Sequence, residues 1–146
     1  MEHLLNNCIF TSRLWDSFST IFQKSYRDRG SIINTLNNWR RKFLDSEILC
    51  TTWAITPSFI IWNVWKERNN NIFKSEKRYF QCLFEQTLRQ LRETMSTTVR
   101  NPPKNQLLET EMRILRQLGM QGLIPRGLDR KVRMMEMEQD YCHPPP

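Results

Sequence analysis

The sequence is poor in the residues from which catalytic and phosphate-binding sites are usually built. Its 146 residues include two histidines and four glycines, and both histidines, His3 and His143, lie next to a terminus, where chain order is lowest. No glycine-rich phosphate loop, H-E-x-x-H motif or G-x-S-x-G motif is present. Acidic residues are few before residue 100 and mostly stand beside Lys or Arg, so paired carboxylates are hard to assemble. We therefore expect that the protein is not an enzyme.

Long apolar runs are also missing. The most apolar stretch, SFIIWNVW, is much shorter than the ~20 residues that cross a bilayer, and Lys66 follows it directly. The N-terminus lacks the basic region and the apolar run of a secretory signal. These absences predict an intracellular protein that makes no membrane contact, and we expect the nucleus as its compartment.

The four cysteines are widely spaced, and none forms a C-x-x-C pair. In a reducing compartment such cysteines are usually small, buried, apolar side chains. We expect this role for Cys50 and Cys82.

Apolar residues recur at helical spacing along most of the chain, with no sustained strand-like alternation. The spacing predicts a first helix over 10–26. Gly30 breaks it, and Ser31 is placed to cap a second helix that ends near Asp45. A further helix is predicted over 77–99, where one stripe faces the core. The stripe consists of Phe80, Leu83, Phe84, Thr87, Leu88, Leu91 and Met95.

The stretch 47–73 is dense in apolar residues and contains Pro57. Proline lacks the backbone donor of a helix interior and clashes with the preceding turn. We therefore expect a kink or the junction of two helices there, with Thr56 as a cap. Trp62 and Trp65 stand among isoleucines and a valine, which favours packing in the core over the stacking of bases.

The segment Asn101-Pro102-Pro103 ends the last of these helices, because proline cannot continue the hydrogen-bond ladder. We place a boundary at 100–103. The predicted fold class is all-α: a small, aromatic-rich helical bundle over residues 1–100. Residues 101–146 are predicted to form a loosely attached C-terminal tail, partly helical or disordered.

The formal net charge of +7 is concentrated in the first hundred residues. They hold 15 lysines and arginines against nine acidic residues, whereas 101–146 hold seven against six. A basic bundle suits an anionic partner, and phosphate contacts would hold RNA or DNA without sequence preference. The alternative is a solvated face that keeps an apolar bundle in solution.

The candidate phosphate-binding residues fall in two clusters. They are Arg40, Arg41, Lys42, Lys66, Arg68, Lys74, Lys77 and Arg78. If the second cluster is helical, Lys74, Lys77 and Arg78 share one face, whereas Lys66 and Arg68 do not.

Three stretches, taken together and in order, resemble one family. They are EHLLNNCIFTSRLW at 2–15, PSFIIWNVWKERNNNIF at 57–73, and the helix at 77–99. The chain from 2 to 100 resembles the zinc-binding region that follows the polymerase in plant non-LTR (LINE-type) retrotransposon reverse transcriptases. The family's signature W-K-x-R-N, followed by an apolar pair, is matched by Trp65-Lys66-Glu67-Arg68-Asn69 with Ile72-Phe73.

The resemblance implies a zinc site, of which this sequence has half. His3-Leu4 and Cys8 match its second part, whereas the cysteine pair expected upstream of His3 has no counterpart. Structural zinc normally takes four protein ligands. Cys142-His143 has suitable chemistry, but adjacent residues rarely both reach one ion. We expect no tightly held metal, an exposed His3 and a Cys8 that lies against the first helix.

The resemblance also implies a function. The family's polymerase and endonuclease lie upstream of this region, so we expect a non-enzymatic fragment or domesticated remnant that binds nucleic acid non-specifically. The rival hypothesis is an inert chain or a small helical module that binds another protein or itself. In that case Phe10, Leu14 and Phe18 on the first helix would mediate self-association.

Overall fold

The computed structural model describes residues 3–24, 28–40, 46–75, 78–99, 107 and 109–124. Every regular element among these residues is helical, and the buried core is rich in aromatic rings, so the predicted fold class is confirmed. The elements are a π-helical turn at His3–Asn7, α1 at Ile9–Ile21, α2 at Ile32–Trp39, α3 at Glu47–Lys74, α4 at Phe80–Thr98, α5 at Glu109–Gln117 and a 3₁₀ turn at Gln121–Leu123.

The boundary between α1 and α2 is set by local hydrogen bonds. α1 ends at Ile21, earlier than predicted, because Gln23 adopts a left-handed φ of 56° that a helix cannot continue. The predicted cap of α2 is confirmed: the Ser31 hydroxyl accepts from the Asn34 N–H at 3.4 Å. Donation by the Gly30 N–H, and then by the Asn34 side-chain amide, lowers the pKa of Asp28 below its ordinary value. The predicted end of the second helix at Asp45 lies outside the described residues.

The predicted junction at Pro57 is wrong, because α3 runs without interruption for 28 residues. Thr56 is not a cap but an interior residue, and its hydroxyl donates to the Thr52 carbonyl oxygen at 2.7 Å. Pro57 is buried, and so are Trp53 and Ile60 in the turns on either side of it. Packing on both sides of the proline thus holds the helix together despite one missing backbone donor.

By length and composition, α3 is the one described helix that could cross a membrane, with a mean hydropathy of 1.2 over its most apolar window. Half of that window is buried inside the fold. The same helix buries polar side chains, among them Thr52 and Asn63. These features are those of the central helix of a bundle.

An aromatic cluster joins α1, α2 and the first half of α3. The rings of Trp39 and Trp53 stack with centroids 3.7 Å apart and planes within 8° of parallel. Trp15 and Phe22 meet this stack edge-on, at 5.5 Å from Trp39 and 4.9 Å from Trp53 respectively. Each such pair adds roughly 0.5–1.5 kcal/mol beyond the burial of its apolar area. The cluster therefore fixes three helices at one end of the bundle.

A buried polar network joins the second half of α3 to α4. The Asn63 side-chain amide donates to Thr87 Oγ1 at 3.0 Å and to Gln90 Oε1 at 2.7 Å. Its Oδ1 accepts from Gln86 Nε2 at 3.2 Å. Asn63 and Thr87 are fully buried. The network satisfies polar groups that burial would otherwise penalise, so it selects one rotation of α3 against α4.

We predict that Asn63→Ala lowers the free energy of unfolding by roughly 1–3 kcal/mol, because it leaves buried groups on α4 without their partner. Asn71→Ala is the matched control: it removes the same side chain from an exposed site on the same helix and should change stability by less than about 0.5 kcal/mol. Urea titration followed by circular dichroism measures both. Equal effects of the two substitutions would contradict this role for Asn63.

The described part of the segment after residue 100 contains α5 and the 3₁₀ turn, and it contributes to the core. Leu107, Met112, Leu115 and Leu118 belong to the same buried cluster as the aromatic rings. The Ser46 backbone N–H, at the start of α3, donates to Glu111 Oε1 at 2.8 Å in a buried position. Apolar burial and this hydrogen bond thus attach α5. The predicted boundary at 100–103 and residues 125–146 lie outside the described residues.

We predict that Glu111→Ala destabilises the fold by about 1–3 kcal/mol, because the Ser46 N–H loses its acceptor. Glu109→Ala on the same helix removes a side chain that is 65% exposed and pairs with Arg113 at 3.6 Å. That change should cost less than about 0.5 kcal/mol. Thermal or urea unfolding distinguishes the two, and a neutral Glu111→Ala would show that α5 is not held through this hydrogen bond.

Candidate nucleic-acid interface

The predicted half metal site lies in the π-helical turn and at the start of α1. The turn is held through its backbone: the Trp15 indole N–H donates to the Leu5 carbonyl at 2.9 Å, and the Thr11 hydroxyl to that of Leu4 at 2.7 Å. His3 is exposed, and Cys8 is half-buried as the residue preceding α1. Both positions agree with the sequence prediction.

The described donors do not fit a tetrahedral zinc ion. Within the ranges that the structure describes, no group of three or more His, Cys, Asp or Glu side chains is placed to hold a metal. Cys142 and His143, which could contribute two more, lie outside those ranges. His3 and Cys8 alone leave at least half of a closed coordination shell unfilled.

The remaining two cysteines differ from expectation. Cys50 is only half-buried and Cys82 is exposed. Cys82 is exposed because it lies on α4 one residue before the buried Leu83, and therefore beside the core-facing stripe and not on it. The prediction that both are buried is wrong.

The second cluster of basic residues is split by the end of α3. Lys66, Arg68 and Lys74 are exposed on this helix. α3 ends at Lys74, because Ser75 adopts a left-handed φ of 54°. Arg78 follows as a non-helical residue, so the predicted common helix face of Lys74 and Arg78 is wrong. Lys77 lies outside the described residues.

Arg78 is anchored to the fold. Its backbone N–H donates to Glu67 Oε1 at 2.9 Å, and its guanidinium lies 3.9 Å from the other oxygen of that carboxylate. The guanidinium also donates to Gln86 Oε1 at 3.0 Å. Glu67 has a side chain that is only 12% exposed. Glu67, the acidic residue of the W-K-E-R-N run, is thus turned inward and holds Arg78. The two cations of the run, Lys66 and Arg68, are exposed to solvent.

Arg40, the described member of the first cluster of basic residues, is remote from the second cluster. Arg40 is exposed just after α2 and follows Trp39, which stacks on Trp53. Lys66 lies thirteen residues beyond Trp53 along α3, about 20 Å at the helical rise. Arg40 therefore does not join the α3 cations in one patch. Arg41 and Lys42 lie outside the described residues.

The structure corrects the placement of Trp62 and Trp65. They were predicted to pack in the core, but their exposed fractions are 51% and 48%. Their rings stack on each other with centroids 5.2 Å apart and planes 24° from parallel. They project from the side of α3 opposite Asn63 and Ile60, which are both fully buried. Ile72 and Phe73, the apolar pair of the signature, are exposed as well.

Comparison with models of known protein families, with curated proteins and with solved structures gives no match for this chain.

Two further cations were missed by the sequence prediction. Arg89 and Arg92 on α4 line a surface groove together with Arg78 and the acidic Glu85. Their i, i+3 spacing places them on one side of α4, a signal that the sequence contained. Arg92 also lies close over Gly119, so part of its length is used for packing. The groove is mixed in charge, whereas the exposed charged side chains on the second half of α3, Lys66, Arg68 and Lys74, are all basic.

Proposed function

We propose that this chain is a non-enzymatic helical module that binds nucleic acid without sequence preference, through phosphate contacts made by Lys66, Arg68 and Lys74. The observation that supports it best is the segregation of charge on the second half of α3. Three cations are exposed there, while Glu67, the acidic residue among positions 61–74, points inward to Arg78. Such a surface attracts phosphates through counterion release.

The family resemblance supports the same proposal. The W-K-E-R-N run supplies two of the three cations, Lys66 and Arg68, and its glutamate holds Arg78 in the fold. The motif thus combines a structural residue with two exposed cations. We propose that the chain is related to the zinc-binding region of LINE-type reverse transcriptases and acts in the nucleus. Its binding to nucleic acid is independent of a metal ion.

The rival hypothesis of self-association through the first helix has less support. Leu14 and Phe18 are fully buried in the fold, and Phe10 is half-buried with its ring 5.9 Å from that of Phe80. The apolar face of α1 is thus already covered by α3 and α4 side chains. Self-association through it would require the bundle to open.

We predict that the wild-type protein binds fluorescein-labelled RNA and duplex DNA in anisotropy titrations at low salt. The triple variant Lys66→Glu, Arg68→Glu, Lys74→Glu should bind at least about tenfold more weakly. The slope of log K against log salt for the duplex should become shallower by about 0.9 for each phosphate that the variant no longer neutralises.

The matched control is the triple variant Lys24→Glu, Arg29→Glu, Arg113→Glu. It changes three exposed cations in other parts of the fold and alters the net charge by the same amount. It should retain most of the affinity. The proposal is wrong if the wild type does not bind at low salt, or if both triple variants lose affinity equally, since the effect would then reflect net charge and not the α3 surface.

A further inference from the structure

The outer side of α3 carries a feature that phosphate contacts do not explain. Two tryptophans, each about half exposed, lie stacked on the surface next to Lys66. Large aromatic side chains dominate the energetics of cores and interfaces, and each buries far more apolar area than a typical residue. Exposed apolar patches rimmed by polar residues mark binding surfaces.

The tryptophans form one wall of an open groove of about 510 Å³. Ile72 and Phe73 continue the groove along α3, and Leu4 and Leu5 of the π-helical turn form its other side. Arg68 and Asn69 also line it, and none of its described lining residues is acidic. The groove thus combines flat aromatic faces, a cation and a carboxamide.

We propose that Trp62 and Trp65 form a stacking platform for nucleobases, and that this groove selects single-stranded over double-stranded nucleic acid. This inference rests on the proposed function and names its substrate class. Aromatic faces beside a basic surface are how single strands are bound without sequence preference, since every base has a π-face. The bases of a duplex are paired and already stacked, so a duplex can use the cations of α3 but not the tryptophans.

Charge decides between a nucleic acid and a protein as the occupant. An apolar protein surface seated in the groove would bury the guanidinium of Arg68 beside lining residues of which, in the described part of the chain, none is acidic. The adjacent Glu67 is engaged by Arg78. A single strand supplies a phosphate for each base that it stacks. The spacing W-x-x-W-K-x-R places the cations directly beside the rings, which suits a ligand with alternating flat and anionic groups.

The test compares an oligothymidylate of about 20 nucleotides, longer than typical single-strand site sizes, with a duplex of equal length. The variants are Trp62→Ala/Trp65→Ala, Trp62→Phe/Trp65→Phe, and Tyr79→Ala as the matched control. Tyr79 is an aromatic residue that is 85% exposed and does not line the groove. Circular dichroism checks that each variant is folded, as expected for surface positions.

The wild type should bind the single strand more tightly than the duplex. Loss of both indoles should weaken single-strand binding by at least about tenfold, while duplex binding changes by less than about twofold. The phenylalanine variant should recover most of the affinity, because it keeps aromatic faces, and Tyr79→Ala should behave as the wild type.

The outcomes separate this inference from the function on which it rests. If neither probe binds at low salt, both are wrong. If both probes bind but the alanine variant retains its single-strand affinity, the function stands and the stacking platform is wrong. If light scattering shows that the wild type is a dimer and the alanine variant a monomer with unchanged affinity, the groove is an interface between two copies of the chain, and the inference is overturned.

Discussion

The buried carboxamide of Asn63 is the constraint on which the surface of this protein depends. Its hydrogen bonds to Thr87, Gln90 and Gln86 can be made only when this side of α3 faces α4. A rotation of α3 by one residue, about 100°, would leave a buried amide without partners and place an indole at the helix contact. The network therefore decides that Trp62 and Trp65 point outward. The buried hydrogen bonds of Asn63 thus place the two tryptophan rings on the surface of the bundle.

The aromatic cluster at the other end of the bundle makes a separate contribution. Trp15, Trp39 and Trp53 are buried together, and the indole N–H groups of Trp15 and Trp53 donate to backbone carbonyls of Leu5 and Trp39. These bonds tie the π-helical turn and α2 to the core. The positions of His3 and Cys8 follow from where that turn lies, and the core that positions them does not use their side chains.

Sequence reasoning succeeded where one helix face is apolar and the opposite face polar. The stripe on α4 was predicted correctly, since Leu83, Leu91 and Met95 recur at helical spacing between charged residues. The Ser31 cap was also found, because it depends on a local hydrogen bond. Such features are encoded within a few residues of chain, and no knowledge of distant contacts is needed to read them.

Sequence reasoning failed on α3, and the reason is physical. This helix has apolar residues around most of its circumference, so its pattern does not show which side is buried. The informative residue was polar: Asn63, between Trp62 and Val64, has partners on another helix more than twenty positions away. The same limit applies to Glu111, whose partner Ser46 is 65 positions distant. The candidate cations of α3 were named correctly as exposed, but the tryptophans beside them were assigned to the wrong side.

The central claim is that α3 is fixed in a rotation that exposes two of five tryptophans, and that the fold holds this rotation without a bound metal. Deuterium exchange of the five indole N–H protons, followed by NMR in the presence of a chelator, tests this most directly. We expect two fast protons, from Trp62 and Trp65, and three slow ones, from Trp15, Trp39 and Trp53. Five fast protons would show a molten core, and five slow protons would show that the tryptophan pair is buried; either result contradicts the claim.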